Sequence, residues 1–464
     1  LLKGRAQIVV RSPLQGVASA LPAPLAKRAA DSLPFQLELL ADERVRVKLG
    51  TVLAAEFAGN RTAIALGPAL EAPLKLPARA GTLVYGSLPA LDVDKWLPLL
   101  AGEPQAAAAA FDVRLGVLDL YGKRLHDVAA RGAADAGGWN ATLASRELAG
   151  ELAYRGPGGG KLVARLTRFR TPEAYPGAPE RATLEPKDLP AMDLVAERFT
   201  LRGKELGRIE ILGQREGDTW RMEKLSMTNA EAALAGRGVW RSGVPTRTQL
   251  DFELDAADSG LFLARIGYPG LVKGAKAQLK GSLAWDGDPS MIDYASLSGA
   301  VELNAQGGQF LEIEPGLGKL ISLMSLQSLP RRITLDFRDV FSKGFDFERI
   351  SSSGQVRSGV MTVKDFRMRG SAAQVQMSGE VDLAHETQNV RVRVVPSLGD
   401  SASTVIAFVN PLLAIPAAIA QKILQDPLGH IFAFDYAVTG GWSDPKVAKL
   451  GVEAREVGAA QAGP

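Results

Sequence analysis

The stretch VQMSGEVDLAHETQNVRVRV, residues 375–394, decides the fold. Val375, Met377, Val381 and Leu383 share one parity, and Val390, Val392 and Val394 take it up again around Arg391 and Arg393. A period of two gives each segment one oily face and one wet face, which is the pattern of a half-buried strand. Working outward, the same alternation covers Leu250, Phe252 and Leu254, then Leu279, Leu283 and Trp285, then Val301 and Leu303, Leu335 and Phe337, and Phe366 and Met368. Ser358-Gly359, Gly370-Ser371 and the run from His385 to Asn389 read as the turns between them. Closely spaced strands with such punctuation predict an antiparallel meander.

Composition agrees with strands and turns. The chain has 464 residues with 49 Gly and 27 Pro, too many backbone punctuators for a long all-helical protein. Three compact domains would be the default at roughly 150 residues each, but repeat-built sheets escape that arithmetic. Lys and Arg total 54 against 51 Asp and Glu, so there is no basic footprint for nucleic acid. The absence of Cys excludes a thiolate nucleophile, a Cys-ligated metal and a disulfide framework. The start, Leu-Leu-Lys-Gly, reads as an internal piece of a longer chain, with any signal or anchor upstream.

An internal repeat runs through the first half. Leu120, Gly122, Lys123, Leu125, Gly132 and Trp139 recur as Leu201, Gly203, Lys204, Leu206, Gly213 and Trp220, each 81 residues later, with Val128 matched by Ile209. Gly150 to Tyr154 is echoed by Gly236 to Trp240 and by Gly281 to Trp285. A repeated supersecondary unit implies stacking in one direction.

Two helices are expected late in the chain. Pro315 opens the first, with Leu317, Leu320, Ile321 and Met324 on one face, and Pro330 closes it. The second carries Val405, Ile406, Phe408, Val409, Leu412, Leu413, Ile415, Ile419 and Ile423 and is apolar nearly all round. Its most apolar part, Val405 to Ala420, has about 16 residues with Pro411 and Pro416 inside, short of the roughly 20 that span a bilayer. It reads as a membrane-contact helix at the end of a groove.

The search for catalytic chemistry returns little. His126, His385 and His430 form no metal-binding spacing, and His385 reads as a solvated turn residue. Gly158-Gly159-Gly160-Lys161 lacks the first Gly of a phosphate loop, where Arg155 stands, and has Leu162 in place of the hydroxyl residue. Asp251, Glu253, Asp255 and Asp258 read as the wet side of a strand, and Arg367, Arg369, Arg391 and Arg393 as a mildly basic outer face. No enzyme, metal or cofactor is expected.

What remains is hydrophobic. Two helices cannot cover about twenty one-sided strands, and aromatics at 6% are too few for the girdles of a transmembrane barrel. An elongated, curled sheet with an open apolar groove is left, lined by Leu250, Phe252, Leu254, Leu279, Leu283, Trp285, Val301, Leu303, Leu335, Phe337, Phe366, Met368, Val375, Met377, Val381, Leu383, Val390, Val392 and Val394.

Certain motifs carry a family resemblance. GQFLEIEPGLGKLISLMSLQSLPRRITLDFRDVFSKGFDF at 308–347, GEVDL at 379–383, FVNPLLAIP at 408–416 and YAVTGGWSDP at 436–445 closely resemble the C-terminal end of YhdP-type AsmA-like proteins. SPLQGV at 12–17 and LPAPL at 21–25 resemble that family's central region. The resemblance implies a periplasmic protein of the Gram-negative envelope, held in the inner membrane by an N-terminal helix outside this sequence. It further implies phospholipids as cargo between inner and outer membranes, the outer-membrane inner leaflet or a protein there as partner, and a monomer. A scaffold for outer-membrane assembly without lipid transport is the alternative. The expected organisation is groove segments at 1–110 and 111–245, a meander at 246–313, an amphipathic helix at 314–330, a second meander at 331–400, the apolar helix at 401–428, a last strand at 429–447 and a tail at 448–464.

Overall fold

The computed structural model describes residues 8–40, 43–71, 73–100, 108–156, 160–175, 185–311, 345–396 and 433–450. They fall into two units that part between Thr228 and Asn229.

The first unit contains β1 (Ile8–Ser12), β2 (Phe35–Leu39), β3 (Val45–Leu49), β4 (Leu53–Ala58), β5 (Arg61–Leu66), β6 (Gly81–Asp92), α1 (Val93–Leu100), β7 (Ala109–Leu120) and β8 (Lys123–Asp135). It continues with β9 (Gly138–Ala144), β10 (Leu148–Arg155), β11 (Lys161–Arg170), β12 (Ala191–Leu201), β13 (Lys204–Glu216) and β14 (Thr219–Thr228). Each strand pairs with the next in sequence.

The expectation of a purely antiparallel sheet is corrected at three places. β5 with β6, β6 with β7, and β11 with β12 are parallel. A parallel neighbour needs a return crossover, and the chain supplies one each time: residues 67–80, the segment around α1, and 171–190 with five prolines.

The 81-residue repeat has a structural meaning. Tyr121-Gly122 and Arg202-Gly203 both lie in the left-handed region, with φ of 50° and 70° in one and 48° and 78° in the other. Two successive positive φ values make the tight turn whose twist suits a hairpin, so the repeat is the β7–β8 and β12–β13 hairpins with a third strand on each. Its glycines make room for rings. A Cβ on Gly132 would lie 2.7 Å from Phe111 Cζ, and one on Gly213 would collide with Trp220.

On the other side of this sheet Glu56, only 2% exposed, accepts from Arg44 Nη1 at 2.9 Å and from Arg46 Nε at 3.0 Å and Nη2 at 2.8 Å. Removing the carboxylate in Glu56→Ala leaves two guanidinium groups crowded without their partner. Both can turn to water, so urea unfolding of the first unit should show a loss of about 2 kcal/mol, below the range for a fully buried pair.

The second unit contains β15 (Ala232–Arg241), β16 (Arg247–Ala256), α2 (Ser259–Ile266), β17 (Val272–Asp286), β18 (Ser298–Phe310) and β19 (Phe345–Arg357). β20 (Val360–Gly370), β21 (Ala373–Asp382), β22 (Thr387–Pro396), β23 (Phe434–Gly441) and β24 (Asp444–Leu450) follow. Every consecutive pair here is antiparallel. Strand β22 begins at Thr387, so Thr387, Gln388 and Asn389 belong to it and not to the turn read from the sequence.

Helix placement is the second correction. The helices in the described residues are α1 and α2, neither near the C-terminus. Asp258 caps α2, its Oδ1 accepting from the Leu261 N–H at 2.9 Å, and Gly267 ends it at φ 109°. The helices expected at 314–330 and 401–428 lie outside the described residues. No helix among those described is long and apolar enough to cross a membrane.

The core of the second unit sits on one face of β17 to β23. Phe345, Phe347, Ile350, Val363, Phe366, Met368, Val375, Met377, Val381, Val390, Val392, Val394, Tyr436 and Val438 pack together there. Trp285, Leu297 and Val356 make a second cluster, against which Leu250, Leu283 and Leu383 pack.

Candidate functional site: an apolar sheet face

Residues opposite one another in a ladder lie on the same face of a sheet. In the first unit the register threads one cross-strand row through all fourteen strands: Val10, Leu37, Val47, Ala55, Ile64, Val84, Phe111, Gly132, Ala141, Leu152, Ala164, Leu194, Ile211 and Leu225. None is polar. Val84, Phe111, Leu152, Ile211 and Leu225 are half-buried. From β6 to β11 the chemistry inverts one residue along, as in Tyr85, Asp112, Arg131, Thr142, Glu151 and Arg165, while the same row holds Ala54, Ala65 and Val195 in β4, β5 and β12. The face is therefore continuous across both the parallel and the antiparallel junctions.

In the second unit the equivalent row reads Gly236, Phe252, Gly281, Val301, Gly354, Val363, Gly379, Val390, Val438 and Val447. Glycine alternates with a large side chain over its first eight positions. At two of these glycines a neighbouring side chain uses the space: a Cβ on Gly281 would stand 3.2 Å from Phe252 Cε1, and one on Gly354 3.1 Å from Met361 S.

The nominated lining residues divide by burial. Leu250, Phe252, Leu254, Leu279, Leu283, Val301, Leu303 and Leu383 are half-buried. Trp285, Phe366, Met368, Val375, Met377, Val381, Val390, Val392 and Val394 are buried. Leu335, Phe337 and the nine nominated residues from Val405 to Ile423 lie outside the described residues. The sequence reading expected groove segments in the first unit but nominated no residue of its face. The alternation is present in Val45, Val47 and Leu49 of β3 and in Phe111, Val113 and Leu115 of β7, but across from Phe111 and Val113 on the strands that follow stand Gly132, Ala130 and Ala141.

Some rows in the second unit hold a polar side chain among apolar ones. Gln388 lies between Val381 and Gly440, and Tyr436 lies beside Val392. Burial pushes the Tyr436 hydroxyl above its usual range.

Charge sits on the opposite faces. Arg393 pairs with Asp435 through two bonds of 2.9 Å, which hold the Asp435 carboxyl below its ordinary value of 3.8. A lowered folded value means the contribution is present above the ordinary aspartate value and lost as pH falls through the folded one. Arg393→Met should thus lower the unfolding free energy read from urea titration slightly at pH 7, by well under about 1 kcal/mol for so exposed a pair. The two proteins should converge in strong acid, and a difference that persists there would contradict this assignment.

The acidic group resolves into separate roles: Glu253 and Asp255 both accept from Gln278 Nε2, at 2.8 and 2.9 Å, while Asp258 caps α2. His385 is exposed in the turn after β21, its Nδ1 2.9 Å from Asp382. His126 meets the buried Glu147 at 2.8 Å. Burial raises the Glu147 carboxyl, but hydrogen bonds from His126 outweigh it and leave the group lowered. Among the described residues no cluster of His, Asp and Glu could hold a metal ion.

Compared with known protein families, the chain matches the model described as YhdP protein over residues 3–447. The chain belongs to the YhdP family. Over 96% of its length it is 25% identical to the intermembrane phospholipid transporter YhdP of Escherichia coli (strain K12), and it spans 37% of that protein. No solved structure matches it. The YhdP match takes in both units, so the apolar faces of both lie within the family region.

Proposed function

We propose that the chain shelters phospholipid acyl chains along its apolar sheet faces, as part of a protein that moves lipid between the inner and outer membranes. The fourteen-residue apolar row of the first unit carries this reading. Half-buried side chains suit such a role, because they keep apolar surface for an acyl chain, whereas a fully exposed apolar row would aggregate. The energetic need is large. Two acyl chains with roughly thirty methylenes cost about 24 kcal/mol in water at about 0.8 kcal/mol each, so a lipid crosses an aqueous compartment only if its tails are covered.

Similarity to a phospholipid transporter supports phospholipid as the cargo. On this reading each sheet curls about its apolar face to form an open groove, with Phe111, Leu152, Ile211 and Leu225 lining the first and Leu250, Phe252, Leu283 and Leu303 the second. Headgroups stay in water, transport needs no chemical step, and the apolar segment from Val405 meets the outer-membrane inner leaflet or a protein there. The chain acts as a monomer, anchored in the inner membrane by a part of the protein outside this sequence.

Lipid extraction of the purified chain followed by mass spectrometry tests the reading. At least one phospholipid per chain is expected, distributed over more than one headgroup. Lipid-free protein with an intact fold would favour the assembly scaffold.

A further inference from the structure

Gln388 stands where an apolar residue belongs. Its row in the second unit reads Gly238, Leu250, Leu283, Gly299, Val356, Met361, Val381, Gln388, Gly440 and Pro445, and the adjacent row, through Val363 and Val390, is apolar throughout. The side chain is 4% exposed, and neither its Nε2 nor its Oε1 has a hydrogen-bond partner among the described residues. A buried amide left open at both atoms is costly, and such a group calls for an explanation. Gly440, opposite on β23, has no side chain, so no side chain from that position covers the amide, and a Cβ there would make only ordinary contacts, the nearest at 3.4 Å to the Asp444 carbonyl.

Position and chemistry narrow the partner. Gln388 is one residue in from the outermost pair of the β21–β22 ladder, Asp382 with Thr387, so it marks the rim of the face, while Val390, Val392 and Val394 run inward from it. Neither its row nor the next holds a charged side chain, and Arg391 and Arg393 are of the opposite parity. The amide is a neutral donor and acceptor. It therefore suits a dipolar group at the head of an apolar chain, not a bare phosphate.

We propose that Gln388 fixes the polar end of a glycerophospholipid, its Nε2–H donating to an acyl ester carbonyl and its Oε1 accepting from an N–H or O–H of the headgroup. The proposal rests on the lipid-sheltering reading and adds to it a recognition point. It predicts discrimination by ester linkage and by a headgroup donor.

The test offers the purified chain vesicles containing equal parts of diacyl phosphatidylethanolamine, its dialkyl ether analogue, which lacks the ester carbonyls, and diacyl phosphatidylcholine, which lacks the headgroup N–H. Retained lipid is counted by mass spectrometry. Diacyl phosphatidylethanolamine is expected to exceed each of the others about three- to tenfold, the worth of one net hydrogen bond. Gln388→Met, of similar volume and with no unpaired amide, should melt at or above the parent temperature and retain all three alike. Equal retention by the unaltered chain overturns the proposal without any variant, and so does a Gln388→Met chain that keeps the preferences. A chain that retains none of the three overturns the lipid-sheltering reading itself.

Discussion

Leu152→Asp, alone or with Phe111→Asp, is expected to cut the phospholipid recovered with the purified chain at least tenfold while the chain still folds. Both side chains are half-buried on the apolar row of the first unit. A carboxylate at either place can reach water, so the cost to folding should stay at about 1–2 kcal/mol. An acyl chain lying over it would strip that water away, and an unpaired charge without solvent costs several kcal/mol. Each 1.4 kcal/mol is about tenfold in occupancy. Thr142→Asp is the control: Thr142 is exposed on the opposite face, directly across from Glu151. Loss of lipid in both variants would point to a general change in the sheet, and loss in neither would sink the assignment of this face.

Val381→Asp should do something different and larger. Val381 has no exposed surface and sits between Met361 and Gln388 on the packed face of the second unit. A charge there has neither partner nor water, so the expected penalty is about 4 kcal/mol or more. Unfolding of the second unit should follow, read as early protease cleavage with the first unit still resistant. Gly379→Ala should act through the backbone instead. Gly379 has φ 141°, and a Cβ there would collide with the Asn389 carbonyl on β22. A Val381→Asp protein as resistant to urea as the parent would show that the burial assigned to this face is wrong. The contrast with Leu152 shows that a charge reports on lipid only where the side chain is half-buried.

The strands were legible because alternation is a local signal. Val390, Val392 and Val394 announce their face without any knowledge of their neighbours. The parallel junctions were not legible, since a strand's alternation is the same whichever way its neighbour runs, and only the crossover tells them apart. Helix α2 hid for a related reason: eight residues give barely two turns of period, and its cap and its closing Gly267 resemble ordinary loop chemistry. The continuity of the first unit's face was hidden by its small members. Gly132, Ala141 and Ala164 carry little hydrophobic signal, and only the register shows that they stand between Phe111, Leu152 and Leu194. Gln388 escaped because it follows His385 and Glu386 and reads as part of a polar turn. Pairing places it on the packed face.

Within each unit every strand finds its partner next to it in the chain. Contact order is correspondingly low for so much sheet, and the entropy of closing long loops is largely avoided. Each new hairpin can dock on an edge already formed, so the sheet can grow from one end before its later strands have folded. The slow steps should be the parallel junctions, above all β11 to β12, where the residues from 171 to 190 must cross back before pairing resumes. Pulse-labelling hydrogen exchange should find β12 to β14 protected later than β7 to β10.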